Sequence, residues 1–185
     1  MENFLRKIKL IDSFSTTLNT SKSDFTSALR NHVDEAEIDS FFSGVFEMFS
    51  SSENKFKGLV SHSGFKIRKR RRFFERNFGK AIAKGNLREQ GDKLVINTEI
   101  NAFNNYMIFM FGALIVFYLV FFIIVFGSIF SENSELPVFV PIFVLVHAVF
   151  MFGIPYFIMR KGVRRMKQDL EREFHFIISK SHSLR

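Results

Sequence analysis

Hydrophobic and polar positions change their rhythm several times along this chain. Phe4 to Asn19 (FLRKIKLIDSFSTTLN) reads as a first strand with an irregular tail. Ser21 with Asp24 has the form of a capping box, and Phe25, Leu29 and Val33 follow at helical spacing. Asp34 with Glu37 repeats that signature ahead of Ile38, Phe41, Phe42, Val45 and Phe49, one face of an expected second helix. Gly44 interrupts it, so its end also fits a strand. After the polar break Ser50–Lys55 the period becomes two. Phe56, Gly58 and Val60 alternate with Lys57, Leu59 and Ser61, and His62-Ser63-Gly64 turns the chain into Phe65 and Ile67. A second pair, Gly79–Glu89 and Lys93–Asn101, follows, with Leu94, Ile96, Thr98 and Ile100 as its inward row. Strands in sequence with short turns predict an antiparallel β-meander.

Alternation then stops. Tyr106–Phe130 and Leu136–Met159 are apolar runs of 25 and 24 residues without one charge. A bilayer core needs about 20 apolar residues in a helix, so each run is long enough to span. Neither is a cleavable signal peptide, because residues 1–30 are mixed polar and charged. Only Ser131–Glu135 (SENSE) separates them, which predicts a tight antiparallel helical hairpin. Between Asn101 and Met159 there is no Lys or Arg, whereas Arg160, Lys161, Arg164, Arg165 and Lys167 follow the second run directly. The positive-inside rule then places both termini in the cytoplasm.

Two residues stand out inside the hairpin. His147 is the one ionisable group besides Tyr in either run. Residues at equal depth in an antiparallel hairpin have numbers of constant sum, which sets Tyr118 level with His147. A phenol bonded to a neutral imidazole would satisfy both groups where no water is available. An intramembrane ionisable pair suggests a proton relay or ion path. Helix–helix glue is the favoured reading, since a pathway would show more polar groups. Pro137, Pro141 and Pro155 all fall in the second run, the first suiting a helix start and the others a bend.

Beyond the hairpin the helical period returns. Val163, Met166, Leu170, Phe174 and Ile177/Ile178 form one stripe, with Arg164, Arg165, Lys167, Asp169 and Glu171 elsewhere. The acidic residues Asp169, Glu171 and Glu173 suit a lipid surface poorly, so this helix is expected to pack on the open face of the sheet. The whole reads as an α+β membrane protein. A cytoplasmic domain (1–105) with N-terminal helices and a meander is followed by a transmembrane hairpin (106–130 and 136–159, loop 131–135). A cytoplasmic amphipathic helix (160–185) packs back on the first domain.

Charge changes the picture in one place. Lys66–Arg72 reads KIRKRRR, the densest cluster in a chain of formal net charge +8. A continuing strand would put Lys66, Arg68, Arg70 and Arg72 on one face, about 6.6–6.8 Å apart, with Phe65 and Ile67 on the other. Three partners compete for such a row. Anionic lipid headgroups or an acidic partner fit a tethered domain. Nucleic acid is disfavoured because no aromatic interleaves the run. A solvated strand face pairing with Glu75, Glu89 or Glu99 accounts for the same residues without any ligand.

The same stretch carries a family resemblance. The pattern F-x-G-x-V, a turn, F-x-I, an Arg-rich run and F-F-(D/E)-x-N stands here as Phe56, Gly58, Val60, Phe65, Ile67, Arg68–Arg72, Phe73, Phe74, Glu75 and Asn77. Over about residues 40–130 the chain resembles a group of uncharacterised bacterial two-span membrane proteins. The resemblance implies a β-rich cytoplasmic domain tied to a membrane hairpin in a bacterial inner membrane, and it implies no activity.

Catalytic chemistry is sparse. The chain has no Cys, which removes disulfides, thiolate ligands and Cys nucleophiles. No phosphate loop, dinucleotide fingerprint, HExxH or GxSxG occurs. His32, His62, His147, His175 and His182 are scattered without ligand spacing, so neither metal nor cofactor is expected. Asp34, Glu35, Glu37 and Asp39 gather where a helix start explains them. The functional expectation is therefore a membrane-tethered binding or sensing domain. An oligomeric pore or transport subunit, or a membrane-acting effector using the hairpin, is the alternative.

Overall fold

A computed structural model of the chain describes residues 1–38, 54–70, 81–103, 105–129 and 139–183. It divides into two compact units, Met1–Phe103 with Met159–Arg185, and Asn104–Ile158.

The first unit is built on a six-stranded mixed sheet. Its strands are β1 (Ile11–Leu18), β2 (Val33–Glu35), β3 (Phe56–Val60), β4 (Gly64–Lys69), β5 (Ile82–Gln90) and β6 (Lys93–Asn101), ordered β1-β6-β5-β4-β3-β2. From β3 to β6 successive strands pair antiparallel, as the alternation predicts. Two strands extend this meander. β1 adds antiparallel to β6, and the short β2 pairs parallel with β3, which makes the sheet mixed.

Register places one apolar row across four strands. Phe14 pairs with Thr98, Thr98 with Gly85, and Gly85 with Phe65. The same face carries Leu94, Ile96 and Ile100, all fully buried. Two glycines make close approaches here. Gly58 has φ +151° and faces the backbone of Ile67, where a Cβ would sit 2.1 Å from the Lys66 carbonyl oxygen. The Phe65 ring lies over Gly85, filling the space a side chain would take. The F-x-G-x-V and F-x-I spacings thus belong to one packing problem on two neighbouring strands.

Two helices cover that face. α2 (Lys22–Asn31) starts at Ser21, whose side chain accepts from the Asp24 N–H at 3.1 Å, satisfying one of the free donors of the first turn. α4 (Phe139–Ser183) is one continuous 45-residue helix whose later part belongs to this unit. Val163, Met166, Leu170, Phe174 and Ile177 are buried, the predicted stripe. Phe174 is the centre of the layer, with ring centroids 5.5 Å from Phe25, 5.7 Å from Phe65 and 6.5 Å from Phe14. Burying such side chains contributes about 1.5–3 kcal/mol each before entropy.

Three expectations are corrected. The segment from Phe4 is not strand at its start: α1 (Glu2–Lys7) is a helix with Glu2 in its first turn and Arg6 and Lys7 in its last. Lys9, at φ +59°, then turns the chain into β1. Asp34 does not open a helix. It lies in β2, because Val33 is buried and β2 gains a parallel partner in β3. The remainder of the expected second helix, from 39 to 49, lies outside the described residues, as do the loop 131–135 and Pro137. The second apolar run and the amphipathic tail are not separate helices either. Charge appears at Arg160 without breaking the helical period, and Pro155 stands inside α4, leaving the Met151 carbonyl without its usual N–H donor.

The second unit consists of α3 (Asn105–Ile129) and the first part of α4. The two helices touch in antiparallel order, Phe111 stacked on Phe152 (centroids 5.9 Å apart, 11° between planes) and Tyr118 beside His147. Both helices are long and apolar enough to cross a membrane. Their apolar side chains are mostly uncovered, with Phe109 and Ile123 each 71% exposed.

Candidate functional site

Polar chemistry converges in two places among the described residues. In the hairpin the Tyr118 hydroxyl lies 2.7 Å from His147 Nδ1, and Tyr118 is 5% exposed. A phenol donating to Nδ1 requires the neutral imidazole with its proton on Nε2. Phe143 stacks on the His147 ring and Phe152 flanks Tyr118, so the bond has an aromatic surround. Equal depth in the hairpin thus becomes direct contact between the two side chains. The bond ties α3 to α4 within the second unit.

The second place is the end of the sheet where β3 begins and β4 finishes. The pairing of Phe56 with Lys69 sets Lys55 beside Arg70, and the Arg70 N–H donates to the Lys55 carbonyl at 2.9 Å. Arg70 then donates from Nη1 to Asp34 Oδ2 at 2.6 Å, while Asn54 donates to Asp34 Oδ1 at 2.8 Å. Asp169, Arg172 and Glu173 stand at i, i+3 and i+4 on α4 and complete the cluster. Lys69 donates to Asp169 at 3.0 Å. The Glu173 carboxylate, buried to 10% exposure of its side chain, takes Lys55 at 3.2 Å on one oxygen and lies 3.5 Å from His32 Nδ1 on the other. A cavity of about 180 Å³ opens among Lys55, Phe56, Lys69, Arg70, Asp169, Arg172 and Glu173.

The basic run is not the exposed row that alternation suggests. Lys66 is half-buried and pairs in register with Lys84, and Arg68 is 4% exposed opposite Lys57. β4 ends at Lys69, so alternation does not carry on to Arg70, which is 5% exposed and turned to Asp34. Arg72 lies outside the described residues, with the Phe73, Phe74, Glu75 and Asn77 of the motif. Of the expected acids, Glu75 lies outside the described residues, and the other two have partners elsewhere. Glu99 pairs with Arg6, and Glu89 accepts from the Lys22 N–H at 2.8 Å.

Sequence reasoning missed Asp34, Glu173 and His32 as members of one network. A signal existed for Glu173. It stands three residues after Leu170 and four before Ile177, inside the apolar arc of an amphipathic helix, where a carboxylate needs a buried partner. No group of three metal-binding side chains occurs among the described residues.

No protein-family model matches the chain, no curated protein matches it in sequence, and no solved structure matches its fold. The functional reading therefore rests on the geometry above.

Proposed function

We propose that this chain is an integral membrane protein whose α3 and α4 cross a bilayer as a hairpin and whose α+β unit is a cytoplasmic binding or sensing domain without evident catalysis. One observation carries the reading. The most apolar windows of both helices are only 11% buried, whereas a core helix of equal length in a soluble protein would be mostly covered. Aqueous solvent would oppose that exposure, and hydrocarbon removes the cost. The absence of Lys and Arg from 101 to 159, with five bases directly after, supports cytoplasmic termini, as in a bacterial inner membrane. The Tyr118–His147 bond, closed within one hairpin, supports a structural role for the pair over an oligomeric pore.

The chain has no native Cys, which makes accessibility labelling clean. In intact cells an impermeant maleimide should label Ser134→Cys, while Ser63→Cys reacts only after lysis. The protein should stay in the membrane pellet after alkaline carbonate extraction. Release by carbonate, or labelling of both positions in intact cells, would refute the topology.

A further inference from the structure

We propose that the cavity at the shared end of β3 and β4 binds a phosphomonoester, either free on a short polyol or as a lipid headgroup. The proposal rests on reading the α+β unit as a binding domain and names its ligand class. Among the described residues four cations and two carboxylates frame the cavity, and the surplus of two is lowered to one by Asp34 beside Arg70. Two of the cations are held in place. Lys69 is tied to Asp169 and Arg70 to Asp34, so both lend field and do not move.

The other two are available to a ligand. Arg172 is exposed and has no ion-pair partner among the described residues. Lys55 is held by Glu173 at 3.2 Å, but its own side chain is 64% exposed, so its ammonium can turn from that pair to a ligand. The other oxygen of Glu173 keeps its 3.5 Å contact with His32 Nδ1 in the exchange. A guanidinium fork and an ammonium point charge then present donors to three oxygens. A carboxylate ligand offers two oxygens, which the fork alone would satisfy. A tetrahedral phosphomonoester uses both groups.

Size and lining narrow the class. At about 180 Å³ the cavity is smaller than the roughly 300–1,000 Å³ of drug-sized pockets. Phosphate with a short polyol fits, whereas a nucleoside does not. Phe56 is the one aromatic among the described lining residues. Asp169 and Glu173 are acceptors that suit hydroxyls beside the phosphate and repel a polyphosphate chain.

The test uses the full chain in phosphatidylcholine nanodiscs. Calorimetric titration with sn-glycerol 3-phosphate and with inorganic phosphate probes a free ligand. Nanodiscs containing phosphatidic acid, read by thermal unfolding, probe a lipid headgroup. Saturable binding of glycerol phosphate, tighter than inorganic phosphate, assigns a soluble source. A rise in thermal midpoint confined to phosphatidic acid assigns a lipid source. In either case Arg172→Gln should weaken the response about tenfold or more, since a charge-assisted fork is lost. Arg172→Lys should recover part of it, and Arg88→Gln, on an exposed strand position away from the cavity, should change nothing. No response to any of the three probes at concentrations up to about 1 mM would overturn the proposal, as would an undiminished response in Arg172→Gln. Carbonate-resistant membrane association is read on the same preparations, so failure of the pocket and failure of the membrane reading are separately visible.

Discussion

Arg70 and Asp34, 36 residues apart in sequence, meet through a 2.6 Å hydrogen bond in which the guanidinium is 5% exposed and the carboxylate 27%. The two ends of this bond are therefore unequal. Asp34→Ala leaves a nearly buried cation beside the hole, whereas Arg70→Ala leaves a carboxylate that water reaches. Breaking a buried pair from one side costs about 3–5 kcal/mol, less where a partner is solvated. Asp34→Ala should destabilise the protein by about 3 kcal/mol, and Arg70→Ala by less. Thermal unfolding in detergent checks the order, and equal losses would contradict it.

Tyr118 and His147 should be coupled rather than individually important. Tyr118→Phe and His147→Leu are each expected to cost about 1 kcal/mol, and the double variant less than their sum, because the second change has no bond left to break. A double-mutant cycle on unfolding in mixed micelles measures the coupling. A coupling energy of zero would show that the 2.7 Å contact contributes nothing to the hairpin.

Neighbouring aromatics on α4 separate buried from exposed faces. Phe174 touches three rings and is fully buried, while Phe176 is 51% exposed. Phe174→Ala should cost about 3–5 kcal/mol and Phe176→Ala under about 1 kcal/mol. Limited proteolysis of the detergent-solubilised chain should find the first variant cleaved in the α+β unit and the second unchanged.

Gly85 and Gly58 should respond differently to a compensating change. At Gly85 a Cβ meets the Phe65 ring at 2.2 Å, and a smaller side chain can relieve that clash. Gly85→Ala should destabilise by about 1–3 kcal/mol and be partly rescued by Phe65→Leu. At Gly58 the obstruction is backbone, and the φ of +151° disfavours any side chain. Gly58→Ala should find no rescue at Phe65. Expression and thermal midpoint of the four variants decide the matter.

These contrasts also show what the sequence makes legible. Leu94, Ile96, Thr98 and Ile100 announce their face because strand period and burial coincide on every residue. The α4 stripe is equally plain. By contrast α1 is six residues long with one buried side chain, and no period can be read from so little. Asp34 was misleading for a physical reason: an acid ahead of apolar residues resembles a helix start, and only the parallel pairing with β3 makes it a strand. Arg70 failed to follow Lys66 and Arg68 because strand length is set by pairing partners that the local pattern does not contain. Long-range ion pairs such as Lys69–Asp169, 100 residues apart, have no local signature at all.

The first unit draws its core from both ends of the chain, residues up to Phe103 and residues from Met159 onward. A ribosome therefore delivers the six strands first, then two helices long and apolar enough to cross a membrane, and only afterwards Leu170 and Phe174, which cover the sheet. Domains usually condense as they emerge, N-terminal parts first. Here Ile96 and Ile100 wait for their helical cover until Leu170 and Phe174 have been made. A message truncated before residue 160 would leave the sheet permanently sticky, a substrate for the machinery that clears unfinished chains.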